Sequence, residues 1–269
     1  VRLRSSRDIV ALDRAAALAW TAVRRGLCSA QPGTTTAAVG ELVRRAIVDA
    51  GGAPAFEGYL PPSSATPFPG AACISVNEEC VHAPPGPRAL EPGDLVTIDA
   101  GVDLDGWFGD VADSIVVPGA EDDRASAHTA LLHASRCALA AGVRACRPGA
   151  RWHEVARAVR AAAAFHDLTP LAGLAGHGIG RALHEPPRAG YQTRPGDAGD
   201  FVLLPGMVLT VEPVLVHPPG ASGQAPDGLT VRTADGSTAC HAERMVAVTR
   251  RGPRILGLSG WCSGRVDGL

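Results

Sequence analysis

The chain has 269 residues, 46% of them hydrophobic and 19% charged, which is enough apolar material for a buried core and excludes a disordered tail or a fibre. A net charge of −2 gives no reason to expect a nucleic acid or other polyanion as partner. No apolar run approaches the roughly 18–20 residues needed to span a bilayer, and the seven cysteines contain no C-x-x-C pair, so a reducing cytoplasm is the expected setting.

From the N-terminus, residues 8–29 carry Ile9, Leu12, Ala16, Ala19 and Val23 at helical spacing, and residues 35–50 carry Val39, Leu42, Val43 and Ile47. The apolar stretch Ala15–Val23 is bounded by Arg14, Arg24 and Arg25, so it reads as helix and not as a signal peptide. Pro32-Gly33 separates the two helices, and Thr34–Thr36 offer N-cap residues for the second. The arrangement then returns. A helical stretch at 124–145 precedes Pro148-Gly149, 116 residues after the first Pro-Gly, and Val155 and Val159 repeat the phase of Val39 and Val43. Two copies are too few for a solenoid, so one pseudo-two-fold domain over residues 1–269 is expected. Runs rich in Val, Ile and Thr at 72–76, 95–100, 108–117, 207–213, 229–233 and 244–249 read as strands, with Pro-rich loops between them. Strands in blocks and helices in pairs predict an α+β fold, an antiparallel sheet covered on one side by helices.

Asp105-Gly106, between two β-rich runs, is a hairpin signal. A two-residue loop there sets position 101 opposite 110 and position 99 opposite 112. Asp99 and Asp110 then share a face as diagonal neighbours, roughly 7–8 Å apart at Cβ. Two carboxylates on a buried face repel unless a proton or a cation lies between them. The apolar neighbours Val96, Ile98, Val111 and Ile115 favour burial. In Gly176-His177-Gly178-Ile179-Gly180 the alternating glycines permit close backbone approach, without the G-x-G-x-x-G order of a dinucleotide loop. The segment reads as a Gly-rich loop carrying His177, with His184 seven residues on. Glu212 ends the apolar run that starts at Val208, and Glu243 precedes the run Met245–Val248. Four carboxylates and one imidazole suit a divalent ion such as Mn, Fe, Co or Zn, and a pair of ions about 3.5–4 Å apart would use bridging carboxylates.

In this order the set resembles the type I methionine aminopeptidases of the pita-bread peptidase fold, along nearly the whole chain. Supporting segments are Pro32 to Thr36, Cys73 to Glu78, Val81 to Gly86, Asp99 to Asp110, Gly176 to Arg181, His184 to Pro187 and Thr210 to Pro213. The resemblance implies two divalent metal ions, with Asp99 chelating one, Asp110 and Glu243 bridging both, and His177 and Glu212 completing the other. It implies catalytic roles for His82 near the substrate amine, His184 at the scissile amide, and Glu212 as proton shuttle. The implied substrates are N-terminal peptides of nascent proteins, met at the ribosome by a monomeric enzyme that removes the initiator methionine. The implied pocket, formed by Ala65, Phe68, Cys73, His82 and Leu183, departs from the family. Ala65 and Phe68 stand where tyrosines are common, and Leu183 where Phe usually precedes the second histidine. Around the ligands, His241 replaces a common Gln, and Arg244-Met245 a usual His-Thr. The alternatives are an Xaa-Pro or relaxed-specificity aminopeptidase of the same fold, or a metal-free binding protein. Retention of all five ligand positions argues against the last.

Overall fold

The structure, a computed structural model, describes residues 2–60 and 66–258. Ala65 therefore lies outside the described residues. Helix α1 (Ser6–Ser29) begins in a capping box in which Ser5 accepts from the Asp8 amide and Asp8 accepts from the Ser5 amide. Thr35, the middle threonine of three, caps α2 (Thr36–Val48). Asp122 caps α3 (Asp123–Ala145), and Glu154 accepts from the Arg151 amide at the start of α4 (Trp152–Ala164).

The first sheet is built on a hairpin. Strand β1 (Cys73–Val76) pairs with β2 (Leu95–Leu104), which pairs along its whole length with β3 (Trp107–Val116). Asp105 and Gly106 form the tip with φ of 57° and 73°, the doubly left-handed turn that matches strand twist. The second sheet contains β4 (Ala175–Gly178), β5 (Glu185–Gly190), β6 (Val208–Val211), β7 (Arg244–Thr249) and β8 (Gly252–Ile255), in the order β8-β7-β6-β4-β5. All its pairs are antiparallel. The α+β expectation holds, with one correction: the Gly-rich stretch read as a loop contains β4. Its glycines admit neighbouring strands, since a Cβ at Gly176 would stand 2.4 Å from the Thr210 carbonyl oxygen. The strand after it, β5, holds Pro186 and Pro187 and lies at the sheet edge, where a missing N–H costs no ladder bond.

Helices α1 and α2 bury Val23, Val43 and Ile47 against Ile74, Ile98 and Val111 of the first sheet. In the same way α3 and α4 bury Leu139, Val155 and Val159 against Leu209, Val211 and Val246 of the second. The sequence repeat thus has a packing counterpart. A Cβ at Gly26 would meet Val43 at 2.7 Å and Ile98 at 2.8 Å. One at Gly142, again 116 residues later, would meet Val159 at 2.7 Å and Val211 at 3.0 Å. Both glycines let a helix close on its partner helix and on its sheet. Among the described residues, a backbone bridge from Ala112 to Glu243 joins the two sheets.

Candidate metal centre

The site forms at that seam. Across it, Cys73 pairs with Asp99, Asp99 with Ala112, and Ala112 with Glu243. Directly paired residues project to the same side of a sheet, so Asp99 and Glu243 face one another over the small Ala112 methyl. Asp110, opposite Gly101, follows two residues away on the same face of β3, as the hairpin register predicts. From the second sheet comes His177 on β4, whose backbone N–H donates to Thr210 Oγ1 at 2.8 Å. Glu212, just past β6, is oriented by the Thr210 hydroxyl on its carboxylate and the Tyr191 hydroxyl at its backbone amide. The Nε2 of His177 stands 3.7 Å from Asp110 and 3.6 Å from Glu212.

The donor chemistry fits a divalent cation. His177 Nδ1 lies 3.0 Å from the Gly178 carbonyl oxygen, which can only accept, so Nδ1 carries the proton and Nε2 presents a lone pair to the carboxylates. Asp99 Oδ1, Asp110 Oδ1 and Glu243 Oε1 are buried with no hydrogen-bond partner among the described residues. Burial, reinforced by the charges of its neighbours, pushes the Asp110 and Glu243 carboxyls well above the ordinary range. Burial also raises Asp99 and Glu212, and it lowers the His177 imidazole to about 4. A cluster that resists ionisation on its own is relieved by positive charge at its centre. Asp110, His177 and Glu243 bring ligand atoms within 4.8 Å of one another, and so do Glu212, His241 and Glu243. Asp99 stands outside both triads.

Residues 10–250 match metallopeptidase family M24. The chain belongs to that family. It is 41% identical over 221 residues to a methionine aminopeptidase of Treponema pallidum, covering 81% of each chain. It is 37% identical over 262 residues to methionine aminopeptidase 1 of Mycobacterium tuberculosis, covering 95% of this chain and 94% of that one. The solved methionine aminopeptidase of Rickettsia prowazekii superposes with a TM-score of 0.88 at 28% identity, covering 96% of this chain and all of that one. The fold is accordingly the pita-bread fold, and the M24 chain is a metal-dependent hydrolase.

In this M24 chain the two remaining histidines stand at the rim. His82 is solvent-exposed and held at φ 63°. The ring of His184 packs 4.4 Å from that of His177, and its Nδ1 lies 2.9 Å from the Tyr59 hydroxyl. Packing around the ring, with the nearby charges of His82 and Arg188, lowers the His184 imidazole. Tyr59 went unremarked in the sequence; it precedes a Pro-rich loop and carries no motif. Beside the carboxylates, Phe68, Cys73 and Leu229 form a small buried apolar cluster, with Phe56 packed edge-on to Phe68 at 6.4 Å. Cys73 joins this cluster to the metal centre, and burial plus the Asp99 and Asp110 charges drive its thiol far up. Leu183 is buried in a different cluster, against Ile179, Val208 and Met245.

The unusual Arg244 has a structural explanation. Its guanidinium is 3% exposed at the side chain, pairs with Asp113 at 2.7 Å and lies over the Trp20 ring at 4.2 Å. It also donates to the carbonyls of Ala112 and Glu243 at 2.9 and 2.7 Å. These are the two residues of the bridge between the sheets, so Arg244 clamps the backbone that sets Glu243.

Proposed function

We propose that the chain is a methionine aminopeptidase that uses two divalent ions, of Co, Mn, Fe or Zn, to release the initiator methionine from nascent proteins. It acts as a monomer in the cytoplasm, with residues 1–269 as one catalytic domain. The observation that carries the reading is the convergence of Asp99, Asp110, His177, Glu212 and Glu243, all from one chain, at the buried seam of the two sheets. These five residues would hold the ions. A bound divalent ion polarises a carbonyl oxygen and acidifies a water at neutral pH.

The residues of the chain supply the rest. With the Tyr59 hydroxyl as donor to its Nδ1, His184 would carry its proton on Nε2 and could donate it to the carbonyl oxygen of the first peptide bond. Glu212, held by the Thr210 hydroxyl, can take a proton from the attacking water and pass it to the departing nitrogen. The carbon gains the oxygen, the C–N bond breaks, and methionine and a shortened peptide leave. His82, at the rim, would meet the free amino group. The cluster of Phe56, Phe68, Cys73 and Leu229 supplies an apolar slot for an unbranched thioether side chain. It does so without the tyrosines common in the family, which predicts looser discrimination between methionine and other bulky apolar first residues.

The test is a peptide panel varying the first two residues, assayed with each metal. Preferential cleavage of Met-Ala-headed peptides supports the reading. Preference for Ala-Pro-headed peptides would replace it with an Xaa-Pro peptidase, and cleavage of neither with no bound metal would leave a binding protein.

A further inference from the structure

His241 occupies a position that the family resemblance leaves to Gln, and the described residues give its ring no hydrogen bond. It is 2% exposed, and neither Nδ1 nor Nε2 has a hydrogen-bond partner among the described residues. A buried imidazole normally has its donor and its acceptor satisfied. Its backbone is firmly held: it pairs with Val214, and its carbonyl accepts from the Ser114 hydroxyl at 2.7 Å. The side chain is therefore delivered to one place by the fold. Its ring nitrogen there lies within 4.8 Å of ligand atoms of Glu212 and Glu243, themselves within 4.8 Å of each other. Arg244, the next residue but two, is turned away to Asp113 and offers His241 nothing.

We propose that His241 is a metal ligand, its imidazole binding the divalent ion shared by Glu212 and Glu243. The centre then carries two imidazoles, His177 in the triad with Asp110 and Glu243, and His241 in the triad with Glu212 and Glu243. An added nitrogen donor makes that position softer, favouring zinc or cobalt over manganese relative to a set of oxygens alone. The inference rests on the metallopeptidase reading above and extends it to a residue of this chain.

The experiment is cobalt titration of the full-length, metal-stripped protein and its His241→Gln variant. Calorimetry reads affinity, and X-ray absorption of the loaded protein counts imidazoles by their ring scattering. The parent at full load is expected to show about one imidazole per cobalt. His241→Gln is expected to show about half that and to bind one of its two ions at least tenfold more weakly, with an unchanged near-ultraviolet spectrum of the fold. Free imidazole should restore the tighter binding to His241→Ala. If the parent itself carries only half an imidazole per cobalt, or if Gln leaves count and affinity unchanged, His241 is no ligand while the metallopeptidase reading stands. A parent that takes up no cobalt overturns both.

Discussion

Replacing Asp110 by Asn should stabilise the metal-free protein while removing its response to metal. Asp110 is 4% exposed and its Oδ1 has no partner among the described residues, while burial and the Asp99 and Glu212 charges hold its carboxyl well above the ordinary range. An acid whose pKa is raised by folding must take up a proton to fold at neutral pH. Its folded state is therefore favoured at low pH and loses ground as pH rises above the unfolded value near 4. The ceiling at pH 7 is 1.36 kcal/mol for each of the roughly three pH units crossed, or about 4 kcal/mol. Asn carries no charge and escapes this term. Urea unfolding of metal-stripped protein should show Asp110→Asn more stable than the parent by about 1–4 kcal/mol at pH 7, with the gap closing towards pH 4. With metal the gap shrinks. The parent gains about 2.7 kcal/mol at a metal concentration of 100 times Kd, whereas the variant, lacking a charged ligand, gains little. A metal-free variant less stable than the parent at pH 7, or a gap indifferent to pH, would refute the crowded-carboxylate account.

Three further outcomes follow from the geometry. His184→Ala should lower kcat by about 10²–10⁴ with metal content unchanged, as befits a donor to the scissile carbonyl; metal analysis beside the assay checks that it is not a ligand. Phe68→Ala should lower kcat/KM for Met-headed peptides by roughly 10–200-fold, and much less for Ala-headed ones, if the slot beside Cys73 takes the side chain. Arg244→Leu should cost about 3 kcal/mol in denaturant unfolding, because it leaves Asp113 partly unpaired in the core and takes a donor from the Ala112 and Glu243 carbonyls.

What could be read beforehand was local. The Asp105-Gly106 turn gave the register of the hairpin, and with it the shared face of Asp99 and Asp110. Apolar periodicity and the Pro-Gly repeat marked the four helices, and Thr34–Thr36 the N-cap of the second. Strands β4 and β5 were invisible because Gly and Pro dominate them; they form through pairing with β6, which no local propensity reports. The reach of Arg244 to Asp113 spans 131 residues, and the approach of Tyr59 to His184 spans 125. Neither leaves a local trace. Leu183, aligned with a pocket position, packs with Ile179, Val208 and Met245 in a cluster that shares Phe56 with the one around Phe68.

The central claim is that the seam between the sheets is a metal-dependent site for removing one N-terminal methionine. The most direct measurement is the mass of a Met-Ala-headed peptide incubated with metal-stripped protein, then with the same protein after divalent ion is restored. The peptide should stay intact in the first case and lose a single methionine residue in the second. Cleavage without metal, or an intact peptide with the centre fully loaded, would contradict the account.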